Sequence, residues 1–228
     1  MKLLAIDTSS PVASAAVMDN GVLVGEYIIN NGKTHSQIIV PLVSDVLEKT
    51  GISISDIDVF ATSLGPGSFT GLRIGVATAK SFAQALDKPI IGVSSVEGLA
   101  VGVAALENIN VSPILDARRG NVYNGVYKNG VCIKKDRLIS LDELLSELNG
   151  EKTLFVGDGI LKHKDKIVSH MGDKALFLPE HISMLNASSI AYLAYRRAIN
   201  EDYDDIYSLE PIYVRASQAE RELAGEKE

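Results

Sequence analysis

Tryptophan is absent from this sequence, and cysteine occurs once, at Cys132. A single thiol permits no intrachain disulfide, which excludes a disulfide-stapled secreted fold. It equally excludes a zinc cluster built on cysteines. The four histidines, His35, His163, His170 and His181, show neither HxxxH nor HExxH spacing, so no metal site of that kind is legible. No run approaches the roughly 18 apolar residues of a membrane helix. The first 30 residues show no basic start, apolar core or cleavage site of an export signal. These absences point to the reducing cytoplasm and away from a membrane. Positive charge is also short, with 22 Lys and Arg against 29 Asp and Glu, a net −7. A chain of that sign is not expected to hold a nucleic acid tightly by itself. A local basic patch can still contribute within a larger complex. What is present is ordinary for a folded protein: 228 residues, 46% hydrophobic and 22% charged. That excludes a disordered chain and leaves room for one large domain or two of roughly 100 residues.

The apolar pattern divides the chain into two halves of the same element order. In the first, strands are expected over 3–6, 12–17 and 22–29, the last two joined by Asp19-Asn20-Gly21. Asn-Gly is a strong hairpin signal because both residues tolerate positive φ. Thr34 with Gln37 reads as a capping box and Gly51 as a helix stop. Pro41 between them is expected to kink that helix or confine it to the residues after the proline. A strand over 57–64, a helix over 71–86, a strand over 89–93 and a helix over 96–106 follow.

The second half starts with a short buried strand at 114–115. Strands over 121–127 and 131–139 flank a second Asn-Gly pair, Asn129-Gly130. Ser140 with Glu143 is another capping box, opening a helix to 148 that Asn149-Gly150 stops. A strand over 154–156, a helix after Gly159, a strand over 175–178 and a helix over 187–199 complete it. Each half therefore reads β-β-β-α-β-α-β-α, without visible sequence repetition. The expected class is α/β: two tandem ribonuclease-H-like domains of the actin, Hsp70 and hexokinase superfamily, each a mixed sheet flanked by helices. The expected domains are 1–107 and 108–228, with a flexible tail from about 217.

The densest motif is Gly65-Pro66-Gly67-Ser68-Phe69-Thr70-Gly71-Leu72-Arg73-Ile74-Gly75, between a strand and a helix. It is no Walker loop, since Gly-Lys is missing, and its third glycine is one residue late for a dinucleotide fingerprint. It is no GxSxG nucleophile elbow either. Either the glycines bring an anion to a helix N-terminus, or they only make a tight turn. Gly71, Gly75 and Ala79 line one helix face with almost no side chain. Such a face admits close helix packing, inside the domain or against a partner. Asp7-Thr8-Ser9 ends the first strand, where the actin-like architecture holds phosphate and metal; the same residues are also ordinary turn formers. Arg118 and Arg119, in Asp116-Ala117-Arg118-Arg119-Gly120, can contact an anion or pair with nearby acids.

Taken together, these motifs resemble the TsaB (YeaZ) family. The stretches that carry the resemblance are LLAIDTSS, THSQIIVPLVSDVL, SLGPGSFTGLRIGVATAKSFAQAL, KPIIGVSSVEGLA, ILDARRGNVY, VGDG and EPIYVRAS, in order from residue 3 to 217. The resemblance implies a non-catalytic subunit of the machinery that makes threonylcarbamoyladenosine 3′ of the tRNA anticodon. It implies pairing with a catalytic TsaD-type paralogue, recruitment of a TsaE-type ATPase, and self-pairing through the same surface. Contact with tRNA is then indirect or weak. ATP and metal belong to the partner subunits, and no cofactor or metal is expected in this chain. Catalytic paralogues place two metal-binding histidines where this chain has Ser95 and Leu99, and leucine cannot ligate a metal. The resemblance also implies a partner interface on the two helices around 35–50 and 70–86. The expected contacts are Ile38, Leu42, Val46, Gly71, Arg73, Ile74, Gly75, Thr78 and Ala79. Gly75→Leu is then expected to weaken pairing while leaving the chain folded. Asp7, Thr8 and Ser9 become a vestigial phosphate loop. The rival readings are a metal- or ATP-dependent enzyme of the same superfamily, a peptidase or kinase, and a generic actin-like binding module.

Overall fold

In a computed structural model, residues 1–148 and 150–214 are described. Leu3, Leu4, Ala5 and Ile6 are all fully buried. A continuous apolar run suits a strand covered on both faces, and β1 (Lys2–Asp7) lies at the centre of the first sheet. It is followed by β2 (Ala13–Asp19) and β3 (Val22–Ile29). Asn20 and Gly21 join them with φ of 48° and 80°, the left-handed pair a type I′ turn needs. Then come α1 (His35–Thr50), β4 (Val59–Gly65), α2 (Phe69–Leu86), β5 (Ile90–Ser94) and α3 (Ser95–Val101). The sheet order is β3-β2-β1-β4-β5, antiparallel through the hairpin and parallel from β1 to β5.

The second half repeats the plan. It comprises β6 (Asn110–Asp116), β7 (Asn121–Lys128), β8 (Val131–Ser140), α4 (Leu141–Glu147), β9 (Thr153–Val156), α5 (Ile160–Met171), β10 (Ala175–Phe177) and α6 (Ala187–Ala198). The order β10-β9-β6-β7-β8 mirrors the first sheet. Asn129 and Gly130 make the matching turn, with φ of 52° and 72°. Two five-stranded mixed sheets with flanking helices form the actin-like architecture expected from the element order.

The local signals met different fates. The Ser140–Glu143 capping box is made in full. The one at Thr34 is not: its side chain caps nothing, and only its carbonyl accepts from Gln37 N–H at 3.0 Å. Pro41 neither ends nor delays α1, which begins six residues before it. Pro41 is exposed, and so is Gln37, whose carbonyl loses its partner to the missing N–H. Helix α3 is shorter than expected and stops at Val101. The expected tail from about 217 lies outside the described residues.

The elements stack in five layers. Helices α1 and α2 cover one face of the first sheet, with Ile39, Leu42, Val43, Val46, Ala79 and Ala83 against Leu4, Ile6 and Phe60. Helices α3 and α6 lie between the two sheets and share a core with both. Helices α4 and α5 cover the far face of the second sheet. Helix α6 belongs to the second half in sequence but packs on β1, β2, β4 and β5 of the first. Burying Ile190 and Leu193 there is worth roughly 4 kcal/mol, at about 2 kcal/mol per aliphatic side chain. Polar contacts fix both ends. Glu26 accepts from Ser188 N–H at 2.7 Å and Ser188 Oγ at 3.0 Å. Arg197 donates to Asp204 Oδ1 at 3.0 Å and to Gly92 O at 2.9 Å.

Candidate functional site

The two halves leave a cleft of about 890 Å³ between them. Its first wall is the β1–β2 loop and the β4–α2 loop; its second is the β6–β7 turn and the start of α5. The first wall is filled by the chain itself. Thr8 Oγ1 donates to Gly71 O at 2.7 Å, and Ser68 N–H donates to Ser9 O at 2.7 Å. A Cβ added at Gly71 would lie 2.0 Å from Thr8 O, and one at Gly67 2.4 Å from Ser9 O. The glycines of the dense motif thus let the first turn of α2 sit directly on the β1–β2 loop.

Asp7 is completely buried beneath that contact. Its Oδ1 accepts from Ser9 N–H at 3.1 Å and from the Ser63 hydroxyl, while its Oδ2 has no hydrogen-bond partner. Burial pushes the Asp7 pKa up against these bonds and against His35. His35 opens α1 and ties it to the same loop through Nε2 and Ser10 O, 2.9 Å apart. Of the expected phosphate residues Asp7, Thr8 and Ser9, only Ser9 reaches the cleft wall. Part of what a phosphate would need there is already used, although among the described residues the Ser9 hydroxyl has no hydrogen-bond partner. The Thr8 hydroxyl and the Ser9 N–H are spent inside the protein, and a buried carboxylate stands behind them.

The second wall is open, and of the two arginines expected at it only Arg118 lines the cleft. Arg118 and Arg119 have φ of 65° and 55°, conformations that L-residues with long side chains rarely adopt. Both are exposed, and among the described residues neither guanidinium makes an ion pair. The acids nearby are engaged elsewhere. Asp116 accepts from Arg118 N–H at 3.1 Å, pairs with Lys162, and lies 3.7 Å from His163 Nε2. Partial burial pushes the Asp116 pKa up, but Lys162, the Arg118 N–H and His163 more than offset it and hold it below the usual range. Asp158 accepts from Asp116 N–H at 3.2 Å. Burial, reinforced by the charge of Asp116, pushes its pKa up to about 6.

Helix α3 packs where the resemblance placed two histidines of the catalytic paralogues. Ser95 is completely buried, and Leu99 lies in the core between the sheets. Among the described residues, no three His, Cys, Asp or Glu side chains are grouped so that they could hold a metal ion.

The α1–α2 layer corrects the expected interface. Leu42 and Val46 are buried against the first sheet rather than projecting as knobs. Gly71, Gly75 and Ala79 also face inward. A Cβ at Gly75 would lie 2.5 Å from Thr8 Oγ1, so Gly75→Leu disrupts the fold itself and is not a clean probe of partner binding. Ile38, Ile74 and Thr78 are half-buried, and Arg73 is exposed. The outward stripe of α2 is Arg73, Ala77, Ser81 and Ala85, and on α1 Val40 is 51% exposed. This second small-residue stripe was available in the sequence. It lies two residues, about 200° of helix, from the one chosen, and spacing alone does not say which of two opposite stripes faces the sheet.

Sequence reasoning also missed what holds Arg73. Tyr213 arrives from the far end of the chain, and its hydroxyl accepts from Arg73 Nε at 2.9 Å. Its ring stacks on Phe69 at 4.6 Å between centroids. No local pattern links residues 140 positions apart.

Comparison with known proteins agrees with this architecture over the whole chain. The family model for TsaD, tRNA N6-adenosine threonylcarbamoyltransferase, matches residues 24–223. The tRNA threonylcarbamoyladenosine biosynthesis protein TsaB of Bacillus subtilis is 34% identical over 226 residues, 96% of each chain. TsaB of Escherichia coli is 30% identical over 243 aligned positions, 100% of each chain. Among solved structures, YeaZ from Pseudomonas aeruginosa superposes with a TM-score of 0.79 at 25% identity, covering 93% of this chain and 99% of the other.

Proposed function

The chain belongs to the TsaB (YeaZ) family of tRNA threonylcarbamoyladenosine biosynthesis proteins, and from that premise we propose that it is a non-catalytic subunit that binds and activates a TsaD-type paralogue. One observation carries the reading. Ser95 and Leu99, at the positions matching the paralogue's metal ligands, are packed into the core between the sheets. A leucine sealed in an apolar core offers neither a ligand nor an approach for one. The filled β1–β2 loop argues in the same direction, so ATP and metal are assigned to the partner subunits. The peptidase and kinase alternatives lose support accordingly.

The surface offered to the partner is the outward face of α1 and α2. Ala77, Ser81 and Ala85 let another helix approach closely, and Val40 supplies an apolar contact. Because the face is one continuous layer, a second copy of the chain competes for it with the paralogue. A TsaE-type ATPase joins the assembled pair, and tRNA is held mainly by the other subunits, as the net charge of −7 favours. No helix among the described residues is long and apolar enough to cross a membrane. We assign the complex to the cytoplasm.

The test is mass spectrometry of tRNA nucleosides from cells depleted of this protein. Threonylcarbamoyladenosine is expected to fall and to return with the unaltered chain. Ala77→Arg, at an exposed position of α2, is expected to restore little of it and to raise the dissociation constant for the paralogue at least tenfold. Unchanged modification on depletion would overturn the assignment.

A further inference from the structure

We infer that Arg73 is a preorganised carboxylate anchor, held in place by Phe69 and Tyr213, that engages an acidic side chain of the paralogue subunit; this rests on the reading that the α1–α2 face is the partner surface. Arg73 sits at the cleft end of the outward stripe, one helical turn before Ala77. Its guanidinium carbon lies 4.2 Å over the Phe69 ring and 5.9 Å from the Tyr213 ring. Its Nε donates to Tyr213 Oη at 2.9 Å. The two rings stack on each other with planes 26° apart. Tyr213 is fixed in turn by its neighbours: Ile212 N–H donates to Leu64 O at 2.8 Å, and Lys80 Nζ donates to Leu209 O at 2.9 Å. The segment after α6 therefore runs along α2 as a strap and brings Tyr213 to the arginine.

This arrangement differs from an ordinary surface arginine in two respects. The side chain is already ordered by a stacking contact and a hydrogen bond, so the entropy of fixing it is largely spent before any partner arrives. Yet only Nε is used. The two terminal amino groups make no hydrogen bond or ion pair among the described residues. A planar fork with free ends suits a bidentate carboxylate.

A nucleic acid phosphate would satisfy the same fork. The surroundings favour a protein carboxylate. Arg73 is the sole cation of the outward stripe, the next basic residue on α2, Lys80, is tied to Leu209 O, and of the two other Lys and Arg side chains lining the cleft, Arg118 and Lys162, the latter is paired with Asp116. A phosphate backbone needs a track of cations, whereas one carboxylate needs one fork. Tyr213 and Phe69 are positioning residues here, acting through Arg73.

The experiment is calorimetric titration of the purified TsaD-type subunit into the full chain and its variants, with thermal unfolding as the fold control. Arg73→Ala is expected to raise the dissociation constant about 30-fold, and Arg73→Lys to recover little of it, because an ammonium neither forks nor stacks as a guanidinium does. Tyr213→Phe keeps the ring and loses the hydroxyl, so about a fivefold rise is expected. In the Arg73→Ala background Tyr213→Phe should add nothing; an undiminished effect there would mean that Tyr213 acts structurally and would overturn its role. If Ala77→Arg weakens binding and Arg73→Ala does not, the partner face stands and the anchor falls. If neither variant matters, or the unaltered chain does not bind, both fall. If Arg73→Ala leaves subunit affinity intact but lowers tRNA retention by the complex, the ligand is phosphate and the carboxylate assignment is overturned.

Discussion

The β1–β2 loop and the β6–β7 turn hold equivalent places in the two halves and are put to opposite uses. Both follow the central strand of their sheet and both face the same cleft. The first is sealed by α2, the helix after the neighbouring strand β4: Thr8 and Ser9 exchange hydrogen bonds with Gly71 and Ser68, and Asp7 is buried beneath. The second carries two arginines in left-handed backbone that among the described residues make no ion pair, over acids already engaged by Lys162 and by backbone N–H groups. Repeating a topology repeats the positions of loops but not their chemistry. What decides the difference is the helix that meets each loop: glycines at 67 and 71 let α2 close on its loop, whereas α5 meets its own loop through a lysine and a histidine.

The contrast can be broken first at the seal. Gly71→Val puts a side chain where even a Cβ would lie 2.0 Å from the Thr8 carbonyl. The expected loss is about 3 kcal/mol or more, or failure to fold. Gly120→Val in the open turn, where nothing lies within 4 Å, carries only the penalty of φ at +74°, about 1 kcal/mol. Urea unfolding of the two variants measures the gap, and equal losses would mean that the first loop is not sealed.

The acids of the open wall give the next effect. Asp158 has its folded pKa raised to about 6, above an unfolded value near 3.9. The folded state therefore binds the extra proton, so the stabilising contribution is complete below about pH 4 and is lost as pH rises through 6. Asp158→Asn should flatten stability between pH 4 and 6 relative to the unaltered chain. Unfolding at several pH values checks this, and an unchanged slope would remove Asp158 as its source.

The smallest effect concerns the arginines. The same chain uses Asn-Gly in the two hairpin turns with this backbone, Asn20-Gly21 and Asn129-Gly130. Replacing Arg118-Arg119 by Asn-Gly should raise stability by about 1 kcal/mol. A loss would mean that the arginines are stabilising contacts instead of strained ones.

Much of this was legible beforehand. Asn-Gly pairs require positive φ whatever surrounds them, so the hairpins were readable. The run from Leu3 to Ile6 has no polar face and had to be covered on both sides. The capping signal at Ser140 was also local and was fulfilled, whereas the similar signal at Thr34 was not: a cap contributes about 1 kcal/mol, and α1 is held by its apolar face against the sheet. The partner surface was half legible. The small-residue stripe read from the sequence, Gly71, Gly75 and Ala79, is the buried one.

By itself the sequence determined the element order, the turn geometry, the family and the absence of histidines at positions 95 and 99. These follow from residue chemistry within a few positions or from matched motifs. Only the tertiary structure decided that the glycine-rich segment seals a loop, that α6 crosses to cover the first sheet, and that Tyr213 holds Arg73 from 140 residues away. The physical reason is that periodicity fixes the angle between side chains on one element. Which face turns inward depends on the apolar surface that some other, distant element needs to bury.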